Sequence, residues 1–558
     1  DGASEGTDVK STGESGTAKF LRVDGDGTCS WQVPPDTNTQ LTLKDEDDFA
    51  SNSDTAAASQ QSIKAYVDTQ VGSISAAPTI TGTSDGAIAD KDACIVTSSG
   101  KITKVIEYTA ATGTVQEFDT ASNQVNTAYD PVTGKIAMVM REGSGISVIV
   151  GTISGTTVTY GSKVTLTTTG TDPRGIAFYN DTIVTAYRAS GCKARACTVS
   201  GTGVTVGSET TIDTTDNNTY NQTVVYDSAS SRFVIFWRNQ SSTTTSNRYI
   251  VASVSGTTLS LGSIGTAVST YRPMRSVKAI ELKSKGRILL MWVDEGSPYY
   301  SYARVGTVTG GSTNSISWGA ETEVYNVSST SWHAVSPAWD DNNNRGLFAI
   351  QRASDSDIFG RGFSIDTSDN SITKGSGVHL LSGGASKYLD AVYNKESGSF
   401  YIFYINGGAA SYEGYFRYKP VSVSSTLATS PGTQSGNLSS NDDSYNEVES
   451  MSTTKYIGNG KIFGAYRDLN NGRNSIVLAF GGSNMTSSSL FVGFAQGAVS
   501  DNQTCTVKVV GNTVTKSGLT PGSKYYVQGD GSLATSAYDL ITVEAGIALS
   551  STELLIKG

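Results

Sequence analysis

Five arginines stand at one place in a repeated pattern, and they are the residues most suited to bind something. Arg141, Arg188, Arg238, Arg352 and Arg467 each end a short apolar run: GKIAMVMR (134–141), DTIVTAYR (181–188), SRFVIFWR (231–238), RGLFAIQR (345–352) and GKIFGAYR (460–467). A guanidinium is a planar fork that grips carboxylates and hydroxyls at fixed geometry. Polar stretches between the runs add aromatic rings: Tyr220 in TTDNNTYNQ, Tyr271 in STYRPMR, Trp332 in SSTSWHAVS and Tyr445 in NDDSYNEVE. Aromatic faces stack on sugar rings while amides and Arg bond hydroxyls, so this mixture suits a glycan. A plainer reading stays open for both sets. An Arg repeated in most copies can hydrogen-bond a neighbouring copy's loop, and a Tyr at a junction can simply pack.

Other chemistry is thinly supplied. His333 and His379 are the only histidines and lie in different contexts, a poor basis for a Ser/His/Asp triad or a zinc site. No Walker A or dinucleotide fingerprint sits between a strand and a helix. Acidic stretches such as Asp24–Gly25–Asp26–Gly27, Asp45–Glu46–Asp47–Asp48 and Asp340–Asp341–Asn342 offer hard oxygen ligands. None has the twelve-residue EF-hand spacing, and ordinary turns explain them, so neither metal nor cofactor is expected.

The elements that position these residues are repeats. Two further runs, GRILLMWVD (286–294) and GSFYIFYIN (398–406), align with the five, giving seven copies about 47 to 62 residues apart. Each apolar run follows a turn of Asp, Asn, Ser and Gly, as in NTAYDPVTGK. Each of the early copies leads into a segment such as SVIVGTISGTTVTYGS or YIVASVSGTTLSLGS. Four strands per copy, seven times, predict a seven-bladed β-propeller over 107–485, with a solenoid as the runner-up. The last copy lacks its fourth strand, while an orphan strand, GTVQEFDT (113–120), precedes the first. That orphan is expected to complete the seventh unit and close the ring.

Four segments flank the repeats. Residues 1–50 form an expected β-rich attachment segment, with FLRVDGDGTCSWQV (20–33) as two strands about a DGDG turn. Residues 51–75 change period: Ile63, Val67, Val71 and Ile74 fall on one helical face, with Ser53 or Asp54 as the expected cap. So short a helix is unstable alone, which predicts a coiled-coil stem in a homotrimer, or packing on its own chain. Residues 76–106 are expected to pack with a C-terminal β-domain, 486–558, whose turns are marked by PGS, GDG and GNT.

Composition agrees with an all-β chain. Glycine is abundant (60) and only 16 % of residues are charged against 37 % hydrophobic, the profile of short strands joined by small-residue turns. A net charge of −10 argues against nucleic acid and anionic membranes as partners. No apolar run is long enough to span a bilayer as a helix. Five scattered cysteines do not suggest a disulfide framework and fit folding in a reducing cytoplasm. Cys192 and Cys197, five apart, would face opposite sides of one strand. The chain begins at Asp1 without Met or a signal peptide, which implies that its true N-terminus was removed or lies upstream.

Several stretches resemble a known type of protein. VIVGTISGTTVTYGS, the AYR endings and SGLTPGSKYYVQGDGSLATSA…AGIALSSTELLIKG resemble repeats and a terminal module of structural proteins from marine tailed phages. FLRVDGDGTCSWQV and SQQSIKAYVDTQV are similar to proximal parts of tail-fibre-like proteins of cyanobacterial and other marine phages. The resemblance implies a virion appendage, made in the host cytoplasm and exposed on the particle. Such an appendage is a homotrimer that joins other tail or capsid proteins through its N-terminal segment and recognises a host glycan or surface protein. Copies four to six depart from the pattern, as in DIFGRGFSIDTSDNSITKG. A purely structural or decorative virion protein is the alternative. A propeller glycosidase is the third reading, since paired carboxylates are available; the S-x-D-x-G-x-x-W turns of sialidase-type propellers do not occur, and no enzyme is expected.

Overall fold

The computed structural model describes 20–23, 25–32, 42–44, 56–74 and 78–557, apart from 98–99, 109, 120–123, 215–218, 241–244, 269–273, 295–299, 311–313, 327–332, 353–356, 383–384, 408–412, 439–441, 444–451, 469–471, 482–486 and 538–542. Two compact units result, Asp1–Pro78 and Thr79–Gly558. The described structure is almost wholly antiparallel β-sheet, with one α-helix.

In the first unit, Phe20–Val23 pairs antiparallel with Cys29–Gln32. Between them Asp26 accepts hydrogen bonds from the Thr28 amide and hydroxyl at 3.0 and 2.7 Å, a local turn. Thr42–Lys44 lies parallel to Ala56–Ala58. The helix runs Gln60–Ile74, and its cap is Ser59, whose hydroxyl accepts the Ser62 amide at 2.9 Å. The expected caps, Ser53 and Asp54, are therefore incorrect and lie outside the described residues. Ile63 and Val67 are each 47 % exposed on one helical face; a Lys64–Asp68 pair lies beside them.

The second unit contains seven successive antiparallel sheets. Their leading strands are Val125–Tyr129, Thr171–Tyr179, Thr219–Asp227, Met274–Leu282, His333–Asp340, Ala385–Asn394 and Ser452–Tyr456. All seven apolar runs are the second strands: Lys135–Glu142, Thr182–Arg188, Arg232–Gln240, Arg287–Asp294, Arg345–Arg352, Ser399–Gly407 and Lys461–Asp468. The turn before each second strand holds a residue at positive φ: Gly134, Asp181, Ser231, Gly286, Asn344, Gly398 and Gly460. That geometry selects the Gly, Asn, Asp and Ser found there.

Each leading strand touches the leading strands before and after it, and the seventh touches the first. Every sheet therefore has neighbours on both faces, which is why its second strand is a continuous apolar run and not an alternating one. Where the second and third sheets meet, Ala177, Ala186, Ala194 and Ala196 face Phe233, Ile235 and Trp237, small side chains receiving large ones. Cys192 packs in this core and Cys197 in the one behind it, so the two thiols do face opposite sides.

Six sheets have five strands where four were expected, because the outer strand is interrupted. Thr157–Tyr160 and Val164–Thr167 both pair with Gly145–Ser154, on either side of Gly161. At this glycine the sheet meets its neighbour closely. A Cβ on Gly161 would lie 2.5 Å from the Thr202 carbonyl oxygen of the next sheet's turn. The same approach recurs at Gly207 on Thr257 (2.1 Å), Gly262 on Asn314 (2.6 Å) and Gly319 on Asn370 (2.3 Å). The glycine of the SGTTVTYGS-type segment is thus where one sheet seats against the following turn.

The last sheet is completed from upstream. Gly472–Ala479 pairs with Ala111–Thr112 and Gln116–Asp119, strands that precede the first sheet in the chain. Two more sheets flank the seven. One orders Thr79–Thr83, Thr504–Lys508, Phe491–Ala495, Ala93–Val96 and Ile102–Lys104; the other is built from Thr513–Thr515, Glu553–Ile556, Glu544–Ala548, Lys524–Val527 and Leu533–Ala534. They share a core containing Ile95, Phe494, Val514, Tyr525 and Leu554.

Candidate functional site

The repeated arginines sit at the end of the second strands where the connections between sheets also lie. Register shows this directly: Arg188 is opposite Thr171, Arg238 opposite Tyr220 and Arg352 opposite His333, each near the start of a leading strand. Their surroundings differ. Arg141 donates from Nε to the Gly143 carbonyl at 3.1 Å. Arg188 is half-buried, and Arg238 is buried at 5 % exposure. Arg352 donates to Asp357 at 3.2 Å and lies 4.9 Å from the Phe359 ring centroid. Asp357 also meets Nε2 of His379 at 2.8 Å. Side chains of Arg467 and Tyr220 lie outside the described residues, as do Tyr271, Trp332 and Tyr445 altogether.

The described acidic turns bond their own turn or a neighbouring sheet, as where Asp341 accepts the Ser284 amide at 2.9 Å. Asp340 accepts from the Asn342 amide (3.0 Å), the Asn343 side chain (2.8 Å) and Arg345 Nε (3.1 Å). Asp130 bridges two sheets, taking the Val132 amide and Thr133 hydroxyl of its own turn and the Asn180 and Asp181 amides of the next. Burial works to raise the Asp130 pKa, but these four donors hold it below the usual aspartate value. Among the described residues, no group of three His, Cys, Asp or Glu is placed to hold a metal.

A charged cluster that the repeats did not announce lies among the leading strands. Each leading strand has an edge whose amides need partners. In the later sheets a neighbour's side chain supplies them. Ser276 accepts the Val335 amide (3.2 Å), Ser336 the Ala391 amide (2.9 Å) and Asp390 the Thr454 amide (2.7 Å). Asp390 also accepts the Ser336 hydroxyl at 2.9 Å. Lys278, from the fourth sheet, reaches past the fifth to within 3.8 Å of Asp390 on the sixth. Lys455, on the seventh, senses both Asp390 and Lys278. Burial would raise the Asp390 pKa, yet the two lysines with Thr454 and Ser336 hold it low. Desolvation draws Lys455 below the ordinary lysine value, helped by Lys278 and opposed by Asp390.

Sequence reasoning passed over this cluster. Its signal is a charged residue within a largely apolar leading segment: Lys278 in SVKAIEL, Asp390 in YLDAVYN and Lys455 in TTKYIGN. It also passed over a second arginine series on the third strands. Arg195 donates to the Gly207 carbonyl (2.6 Å), Arg304 to Gly319 (2.7 Å) and Arg361 to Val324 (2.6 Å), fastening outer strands. The ARAC, ARVG and GRGF stretches carry that signal.

No protein-family model matches the chain, and no curated protein does. Among solved structures, a protein from Lactobacillus plantarum is similar at 10% identity and TM-score 0.40, covering 56% of this chain and 85% of its own. Saccharomyces cerevisiae core factor is similar at 10% identity and TM-score 0.37, with 67% and 62% covered. Saccharomyces cerevisiae Sqt1 is similar at 9% identity and TM-score 0.36, with 67% and 100% covered. Likeness at this level bears on neither chemistry nor partners.

Proposed function

We propose that the seven sheets are the blades of a β-propeller and that the chain is a host-binding subunit of a tailed-phage virion appendage. In this reading it grips a surface glycan with the end of the sheets that carries Arg141, Arg188, Arg238, Arg352 and Arg467. The observation that carries the reading is the placement of one such Arg at an equivalent strand end in each of five sheets, beside the connections between sheets. Guanidinium forks there suit hydroxyl and carboxylate recognition, and weak sites gain avidity when repeated on one particle. Support for the propeller comes from the cyclic succession of leading strands and the completion of the last sheet by upstream strands. The exposed Ile63 and Val67 of the helix favour self-association as a homotrimeric stem.

The test is binding of the labelled chain to bacteria that the parent virus infects, with and without periodate oxidation of surface glycans. Selective binding that periodate abolishes and that Arg188→Ala weakens supports the reading. Absence of binding by an intact oligomer overturns it. That result would favour a structural virion component, which the engagement of Arg141 and Arg352 by their own chain also fits.

A further inference from the structure

Two carboxylates meet where the third sheet turns, and strand alternation brings both to the same junction. Asp227 follows Val225 by two residues and Glu281 follows Ala279 by two; Val225 and Ala279 pack in one core between the third and fourth sheets. A hydrogen bond fixes the approach: the Ser228 amide, next to Asp227, donates to Glu281 Oε1 at 2.6 Å. Asp227 Oδ2 accepts the Ser230 amide at 2.9 Å. Asp227 is 1% exposed, yet among the described residues its Oδ1 has no hydrogen-bond partner, and neither has the buried Ser230 hydroxyl.

Asp130 shows what this turn lacks. It follows Tyr129 as Asp227 follows Tyr226, at the same place in the first sheet, and there the Asn180 and Asp181 amides arrive from the next turn. At Asp227 the next sheet presents a second carboxylate instead. Burial raises the Glu281 pKa, the Ser228 hydroxyl and amide oppose the rise, and the charge of Asp227 adds to it. A buried anionic oxygen without a donor is costly, and a like charge beside it costs more.

We propose that Asp227 and Glu281 bind one divalent cation, calcium by its ligand set, with the Ser230 hydroxyl as a third ligand. All three are hard oxygens, drawn from a turn and a strand end. Calcium accepts so irregular a set, whereas magnesium demands a near-ideal octahedron. Glu281 and Ser230 are half-buried, so solvent can complete the shell. The ion would tie the third sheet's turn to the fourth sheet, as the Asn180 and Asp181 amides tie Asp130. Asp227 is opposite Arg232 while Arg238 is opposite Tyr220, so the site lies at the other end of the sheet from the arginine series. It therefore stands whether or not that end binds cells.

Terbium luminescence tests it, because Tyr179 and Tyr226 stack at 4.0 Å next to Asp227 and can sensitise a lanthanide bound there. Titrating the full chain with terbium is expected to give a tyrosine-sensitised signal. Calcium should displace it at a concentration on the order of 0.1–1 mM, and magnesium poorly. Asp227→Asn and Glu281→Gln should each weaken binding by at least about tenfold, since ligand charge sets affinity. Asp366→Asn, in an exposed turn whose carboxylate serves Ser368, should change nothing. Should Asp227→Asn fail to fold, Glu281→Gln, half-buried and equal in shape, decides. The rival occupant is a proton shared by the two carboxyls. It predicts no calcium-displaceable signal, and a chain that Glu281→Gln stabilises in thermal melts at neutral pH. That result, or a signal that both substitutions leave unchanged, overturns the proposal.

Discussion

The junction between the second and third sheets and the junction between the seventh and first solve one problem with different materials. Consecutive sheets are tethered by the chain, and between the second and third, alanines receive aromatics while Gly207 seats on Thr257. At the other junction the chain ties only Gln116–Asp119 to the first sheet; the rest of the seventh sheet, including Gly472–Ala479, arrives from the far end of the sequence. There Arg473, fully buried, bonds Asp119, Glu142 (3.0 Å) and the Arg141 carbonyl. The Gln116 side chain pairs both ways with the Val158 backbone, at 3.1 and 2.8 Å, and the Tyr160 hydroxyl meets Ser475. An apolar core is present as well, with Met138 and Met140 against Phe463. Between the second and third sheets shape carries the junction; in the seventh a buried arginine is added, because loop closure there falls on the contacts themselves.

That contrast can be broken at either junction. Arg473→Met should have the largest effect, about 3–5 kcal/mol, because it leaves buried Asp119 with only the half-exposed Lys163 as counter-charge. Denaturant titration checks this, and a loss below about 1 kcal/mol would mean that packing alone closes the cycle. Gly207→Ala comes next. Its Cβ would lie 2.1 Å from a carbonyl, so a loss of about 1–3 kcal/mol is expected, while Gly436→Ala, with nothing nearby, should be neutral.

A pH measurement sharpens the comparison further. Asp130 couples the first and second sheets and has a lowered pKa when folded. A carboxyl depressed in this way contributes stability that is fully present above its unfolded pKa, near 4, and lost as pH falls through the folded value. Asp130→Asn should therefore flatten the loss of stability below about pH 4. An unchanged acid limb in thermal melts would remove Asp130 from the account. Smallest is Lys163→Gln. Lys163 is 40% exposed and 3.1 Å from Asp119, so roughly 0.5 kcal/mol or less is expected, vanishing in high salt.

The strands were legible because burial on both faces writes an unbroken apolar run, as in KIAMVMRE and RILLMWVD. The glycine of VTYGS was visible as a repeat, but its reason was not, because the turn that excludes a Cβ belongs to the next copy. Helix capping was misplaced for a local reason. Ser53, Asp54 and Ser59 are all competent caps, and only the hydrogen bond to Ser62 selects the last. The Lys278, Asp390 and Lys455 cluster was illegible for a global one. Each sheet contributes a single charge, and only the cyclic order of the sheets brings Lys278 past the fifth sheet to Asp390. The arginine ends were readable as a series, though not the burial of Arg238 or the commitment of Arg352 to Asp357.

The partners that complete the seventh sheet are separated by 354 residues between Asp119 and Arg473. A ribosome adding roughly 5–20 residues per second therefore delivers Arg473 about 20–70 s after Asp119 has emerged. For that interval Gln116–Asp119 has no third strand to join, and the first sheet has one face uncovered. Brevity is the protection available to such a segment: strands of two and four residues make poor templates for another nascent chain. The same delay makes the final sheet a checkpoint, since a chain truncated before Gly472 can build six sheets and never join its ends.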